Sequence, residues 1–421
     1  MRIIILICLL GCFTICCAQD TLTLPQCHML ASEYAPRAKD KLEITSITDL
    51  KIQNAVTGWY PELNLNGKFS YQSDVVEVAL VDPSIPVEFP VVPYDQYSLN
   101  LDIRQTVYDG GMTRRMKSYE DALSASELQQ VEVDIYKLKE QVNAIFFSVL
   151  ILQENRKNME LTMENLMEQE STVQSGLEHG ILLESDLRVL QLEKLRLRQS
   201  LVELDAEQEA LIKMLGTLIG TELSDDVLLQ KPSLEPFEKK EGIRPEYKWF
   251  DLQSLTLDSG KDLAKSKRMP RIFAFGQAGY GKPGYNMLSG DWDLYYMVGA
   301  GIKWNIWDWN ISKRERMILE HKQNSIKNRQ ATFEQALALQ LHREASKIQQ
   351  YEKTITIDKK MLELQKDITM EAASKMKNGT ITMSDYLLEL NKENMARIRV
   401  DTDRILLSRA KANYMTLKGT L

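Results

Sequence analysis

The twelve prolines of this 421-residue chain leave two stretches free of them, residues 94–231 and 284–421, each 138 residues long. Proline breaks helix interiors because it lacks an N–H and its ring clashes with the preceding turn. Two equal stretches without it, filled with helix-forming residues, point to two equal sets of long helices. Between Met112 and Leu215 glycine occurs only at Gly176 and Gly180. A helix from Thr113 to Glu178 would be about 100 Å long at 1.5 Å per residue, far beyond a globular domain. Along it, Leu128, Val131, Ile135, Leu138, Val142, Ile145, Val149 and Leu152 follow alternating steps of three and four. That period of 3.5 predicts a narrow coiled-coil seam, not the wider stripe of an ordinary amphipathic helix. A helix returning from Leu187 to Leu218 and beyond would pair with it.

The two halves are copies. Pro36 and Pro245, Pro61 and Pro270, and Gly67 and Gly276 are each 209 residues apart. Beyond them the offset is 199: "VYDGG" (107–111) faces "IWDWN" (306–310), Gly180 faces Gly379, and Ser185-Asp186 faces Ser384-Asp385. The ten-residue difference falls between Tyr71 and Asp95, where Pro83, Pro86, Pro90 and Pro93 mark an irregular loop. The copies run over 19–220 and 244–421, with a linker at 221–243. Each has a leading helix, a strand hairpin (61–107 and 270–307) and a long helical hairpin (110–220 and 310–421). The helical turns fall near 176–186 and 376–386.

Before each long helix the period changes to two. Leu63, Leu65, Phe69 and Tyr71 alternate with Glu62, Asn64, Asn66, Lys68 and Ser70, while Tyr97, Leu99, Leu101 and Ile103 alternate with Ser98, Asn100, Asp102 and Arg104. These are strands with one apolar and one polar face. The second copy repeats the pair around 272–281 and 294–306, although Phe273 and Phe275 blur its alternation. A hairpin half-buried in a soluble core satisfies the alternation alone. The strand length, however, suits a tilted membrane strand of about 9–11 residues. Five of the six tryptophans (Trp59, Trp292, Trp304, Trp307, Trp309) lie in or beside the hairpins, as interfacial belts do. Four strands cannot close a barrel, and a membrane barrel leaves no edge unpaired. Several chains must share one barrel, and the residues alone allow two, three or four.

Compartment and chemistry follow from what the chain has and lacks. Arg2, an apolar run and small residues ending at Ala18 read as a signal peptide over 1–18. Leu9-Leu10-Gly11-Cys12 approximates a lipobox, so lipidation of the N-terminus is the alternative. Four of the five cysteines leave with the signal, and Cys27 alone cannot form an internal bridge. A net charge of −7 without a basic stripe argues against nucleic acid. His28, His179, His321 and His342 lack metal spacing, and "GQAGYG" (276–281) has the wrong spacing for a dinucleotide loop. Neither an enzyme nor a bound cofactor or metal is expected.

The layout resembles the TolC-like outer membrane efflux proteins over nearly the whole mature chain. The likeness rests on the duplicated strand hairpins, on "VYDGG" and "IWDWN" leading into long helices, and on the two G-x-x-x-x-S-D turns. It implies a mainly α protein with membrane β. Long antiparallel coiled-coil helices would form an α-barrel tunnel, and four strands per chain would enter a trimeric twelve-stranded barrel. The function implied is a passive outer-membrane conduit of a tripartite efflux or type I secretion system. The partners implied are a periplasmic adaptor, an inner-membrane pump and outer-membrane lipid. Gly180, Ile181, Gly379 and Thr380 are then expected at the adaptor-contact tip, with Ser185 and Ser384 capping the returning helices. Asp385 and, in the first copy, Asp186 are expected at the periplasmic gate. Leu388, Ile381 and Met376 replace an aspartate, an arginine and a tyrosine of the family's latch, so an apolar constriction takes over part of that role. A periplasmic coiled-coil or adaptor protein is the alternative, and it predicts one helical hairpin per chain.

Overall fold

The structure is a computed structural model, and it describes residues 21–76, 92–180, 182–233, 242–287 and 290–421. The signal segment 1–18, most of the proline-rich loop and Ile181 lie outside the described residues. In chain order the elements are β1 (Thr21–Leu22), α1 (Leu24–Tyr34), α2 (Asp40–Val56), β2 (Glu62–Tyr71), β3 (Asp95–Tyr108), α3 (Met112–Glu178) and α4 (Glu184–Ile219). There follow β4 (Leu228–Leu229), α5 (Pro245–Ser266), β5 (Arg271–Lys282), β6 (Asp293–Lys303), α6 (Ile311–Lys377) and α7 (Met383–Lys418). Both α3 and α6 are 67 residues long, and both α4 and α7 are 36. The chain divides into two compact units: one takes in residues up to Lys39, Val131–Pro245 and Thr332–Leu421, the other Asp40–Gln130 and Glu246–Ala331.

In the first unit α1 is set by a capping box, Thr23 N–H donating to Gln26 Oε1 (2.9 Å) and Gln26 N–H to Thr23 Oγ1 (3.4 Å). Its buried residues Leu24, Cys27 and Ala31 join Val142, Phe146, Phe147 and Val149 of α3, Ile212, Leu215 and Ile219 of α4, and Ile405 and Ala412 of α7. Thr21 and Leu22 pair in parallel with Leu228 and Leu229, so the linker is stitched to the N-terminal segment. This core corrects the narrow-seam expectation. Val131, Ile135, Val142 and Val149 of the heptad are buried, but so are Val133, Asn143, Phe146 and Phe147, off that seam. With α1, α4 and α7 all packed around it, α3 is covered on more than one face, and a single partner's stripe is too narrow.

The second unit holds one antiparallel sheet in the order β2-β3-β5-β6. Its register is continuous: Asn64 faces Asp102, Asp102 faces Gln277, and Gln277 faces Met297. One shift interrupts it, between Thr106 and Tyr108. The last strand ends at Lys303, not at the 306–307 read from the sequence. Its partner β5 begins with Arg271 opposite Lys303, and the preceding Pro270 has no N–H to extend the ladder. Trp304 instead donates its indole N–H to the carbonyl of Arg268 at 3.1 Å. Around the helices, Thr256 of α5 donates to the Ala122 carbonyl of α3 (2.9 Å), and Lys51 of α2 pairs with Glu120 (3.2 Å).

Candidate functional site

Three places carry the functional expectations: the sheet, the strand-to-helix junctions and the helical turns. Alternation and register put Leu63, Leu65, Phe69, Leu99, Leu101, Ile103, Leu294, Tyr296, Val298 and Ile302 on one face of the sheet, all exposed. Rings gather at both ends of that face. At one end Tyr97 lies 4.9 Å from Phe69 and 5.5 Å from Trp292, which stacks on Tyr280 at 5.2 Å. At the other, Trp304, Trp307 and Trp309 are exposed, the last two edge-to-face at 6.0 Å. An apolar face this broad, uncovered among the described residues, is of the kind that a partner or lipid covers. Among the described residues no helix is long and apolar enough to cross a membrane.

The opposite face is polar but not uniformly so. Asp102 accepts from Asn66 Nδ2 (2.5 Å) and Gln277 Nε2 (2.7 Å), and Gln277 Oε1 accepts from the Tyr285 hydroxyl (2.6 Å). Tyr295 donates to Asn100 Oδ1 at 2.5 Å. Phe273 and Phe275, which blur the alternation in sequence, point to this polar side, where they lie over Gly301 and Gly299.

The junctions repeat a turn that sequence reading did not resolve. Gly110 and Gly111 have φ of 70° and 76°, and at the matching positions Trp309 and Asn310 have 53° and 61°. Asp109 accepts from the amides of Gly111 and Thr113, both at 2.7 Å, and Asp308 from that of Ser312 at 3.0 Å. Burial pushes the Asp109 carboxyl up, but the hydrogen bonds from Thr113, Gly111 and Met112 outweigh it and hold the group below the usual range. Gly-Gly and Asn after an aspartate were the available signal, since both tolerate φ > 0. Trp309 is unusual there.

At the helical turns Gly180 and Gly379 have φ of 72° and 67°. Gly379 N–H donates to the Met376 carbonyl (2.9 Å) and Thr380 N–H to that of Lys375 (3.0 Å), the paired bonds that close a helix on a left-handed residue. Gly180 N–H likewise donates to the Leu177 carbonyl at 3.0 Å. The returning helices are not capped by Ser185 and Ser384. Thr382 caps α7, its Oγ1 accepting from the Asp385 amide at 3.2 Å. Leu183 occupies the matching place before α4 and has no oxygen to offer, so only Asp186 acts, accepting from the Leu183 amide at 3.0 Å. The serines lie inside the first turn, past the position from which a side chain reaches the free amides.

The two turns share one core. Leu166, Val173 and Leu190 pack with Ala372, Met376, Met383, Tyr386, Leu387 and Leu390, and Leu182 and Ile381 lie against them. Met376 and Ile381 are thus packing residues, while Leu388 is 55 % exposed beside the exposed Asp385. Asp385 and Asp186 each occupy the third position of a helix start. Among the described residues no group of three or more His, Cys, Asp or Glu is placed to hold a metal.

No protein-family profile and no curated protein matches the chain, but solved structures do. The outer-membrane channel OprN is 15% identical with a TM-score of 0.66, over 94% of this chain and 90% of that one. The Campylobacter jejuni CmeC outer membrane channel is 13% identical with a TM-score of 0.65, over 94% and 85%. The chain has the TolC-like outer-membrane-channel fold. A third such channel, Neisseria gonorrhoeae MtrE in its open state, is 14% identical, covering 94% of this chain and 89% of its own at a TM-score of 0.65. The TolC-like fold accounts for the two pairs of long helices and the four-stranded sheet, and identities this low speak to the fold alone.

Proposed function

We propose that the chain is one subunit of a trimeric outer-membrane channel-tunnel serving a tripartite efflux or type I secretion system. The observation that carries this reading is the sheet. Its apolar face is exposed between two aromatic ends, and its edge strands β2 and β6 each have one side unpaired among the described residues. Lipid cannot satisfy open backbone edges, so β6 of one copy pairs with β2 of the next until the ring closes. Three copies of four strands give a twelve-stranded barrel. Leu99 and Leu101 then face lipid, and Asn100 and Asp102 face the lumen.

The helices extend the conduit into the periplasm, where the turns at Gly180 and at Gly379-Thr380 meet the adaptor that brings the pump. Asp385, Asp186 and Leu388 lie at the gate. The chain is exported by the signal over 1–18 and carries a duplication, a reading supported by the equal helix lengths and the displacement of both helix pairs by 199 residues. The channel does no covalent chemistry and needs no cofactor. Light scattering in detergent is expected to give the protein mass of three chains, with heat-modifiable migration and ion conductance in planar bilayers. A folded monomer without conductance would remove the assignment.

A further inference from the structure

On the polar face of the sheet, aromatic rings lie over glycines. A Cβ at Gly299 would come within 2.7 Å of the Phe275 ring, one at Gly301 within 2.5 Å of Phe273, and one at Gly279 within 2.7 Å of Tyr295. Tyr285, whose hydroxyl is tied to Gln277, packs 4.4 Å from Tyr295. A ring resting on bare backbone has one face against the sheet and turns the other outward. The wall therefore offers ring faces, not edges, and ring faces carry negative quadrupole density. The protein already uses one: the Arg104 guanidinium, itself a planar cation, sits 5.1 Å over Phe273. Arg104 and Phe273 both line a hollow of about 430 Å³, together with Phe275, Glu62, Asp102, Gln277 and Met297 among others. The carboxylate of Asp102 is fixed there by two amide donors.

We propose that this hollow is a binding site for planar organic cations on the barrel wall, with Phe275 as the stacking face and Asp102 as the fixed counter-charge. The inference rests on the channel reading, which makes this face the lumen. A cation stacked on Phe275 repeats what Arg104 does on Phe273 and gains a carboxylate that Arg104 does not use. Aliphatic cations of equal charge gain the charge and a cation–π contact but lack the flat surface that stacks on the ring.

The test uses the full-length trimer with an acridine dye as the planar probe and tetraethylammonium as the aliphatic one. Current block in planar bilayers and dye fluorescence on the detergent-solubilised trimer are both read. Acridine is expected to block and bind, and tetraethylammonium to do so about tenfold more weakly, within the range of one aromatic stacking contact. Phe275→Leu and Asp102→Asn are each expected to weaken acridine by about three- to tenfold. Phe275→Leu opens space over Gly299, so Asp102→Asn, which keeps the size and still accepts from one of the two amides, guards against a folding artefact, and a heat-stable trimer is required of both. Equal block by the two probes, or unchanged acridine affinity in both variants, overturns the site and leaves the channel standing. A wild-type protein that neither trimerises nor conducts would instead sink the channel reading itself.

Discussion

Asp385 holds Thr382 twice, one carboxylate oxygen accepting from the Thr382 amide at 3.1 Å and from its hydroxyl at 2.7 Å. The same hydroxyl accepts from the Asp385 amide, so the first turn of α7 is closed by a reciprocal box. These bonds from Thr382 hold the Asp385 carboxyl below the usual carboxylate range. A carboxyl depressed in the folded state stabilises above its unfolded pKa of about 4 and loses that contribution as pH falls further. The box is therefore intact at neutral pH. Thr382→Ala is expected to lower amide protection over residues 383–387 by about three- to tenfold, the size of one cap. Because the cap position before α4 is Leu183, whose side chain cannot accept, Leu183→Thr is expected to raise protection at residues 184–187. Hydrogen exchange that leaves both turns unchanged would show that tertiary packing alone sets these ends.

His28 makes the opposite kind of pH statement. Its Nε2 meets Asn143 Oδ1 at 2.8 Å, and the Asn143 amide donates to Thr416 Oγ1 (3.0 Å) and Asn413 Oδ1 (3.1 Å). Burial holds the imidazole below its ordinary value, and nearby Lys139 adds to that, against the hydrogen bond to Asn143. The unfolded chain then binds more protons below pH about 6.5, so stability falls as pH drops through that value and toward the lower folded one. Thermal melts of the helical signal are expected to shift down between pH 7 and 5, and less so in His28→Gln. Identical pH slopes would remove His28 from the account.

How much of this could be read from residues differs by element. The strands were legible because alternation and turn prolines act locally, and the long helices because proline and glycine are missing. What escaped was set by neighbours distant in sequence. Asn143, Phe146 and Phe147 read as off-seam positions until α1 and α7 close over them, and Phe273 and Phe275 read as lapses until Gly301 and Gly299 stand opposite. The caps were displaced by two residues because an aspartate at the third position looks, in sequence, like part of a Ser-Asp cap.

Register across the sheet predicts a contrast between faces. Leu101→Arg places a charge on the exposed apolar face and is expected to cost about 2–4 kcal/mol near a bilayer midplane. Asn64→Arg, on the polar face opposite Asp102, is expected to be tolerated. Assembly of heat-stable trimer measures both, and equal loss would place the faces wrongly.

The two junctions should respond unequally to glycine chemistry. A Cβ at Gly110 would stand 2.5 Å from Cβ of Met269, on top of the left-handed φ. Gly110→Ala is expected to destabilise by about 1–3 kcal/mol. Asn310→Gly relieves a side chain held at φ of 61° and is expected to be neutral or stabilising by up to about 1 kcal/mol. Urea midpoints that move both variants the same way would mean the turns are not strained alike.

The helical turns allow backbone and surface effects to be separated. An added Cβ at Gly379 or Gly180 meets nothing within 4 Å, and both have positive φ. Substitution there is opposed by backbone conformation alone, at about 1–2 kcal/mol for an ordinary residue. Asparagine, which tolerates that region, should keep the turn; valine should not. If the turn's shape is what the adaptor recognises, Gly379→Asn retains crosslinking to the adaptor and Gly379→Val loses it, with trimer and conductance unchanged in both. If the adaptor instead needs a bare surface, asparagine and valine fail together. The shared core of Met376, Met383 and Leu390 with Leu166 and Leu190 ties the second turn to the first, so Gly180→Val is expected to weaken the same crosslink. Unaltered crosslinking in all three variants would mean that these turns are not the surface where the adaptor engages.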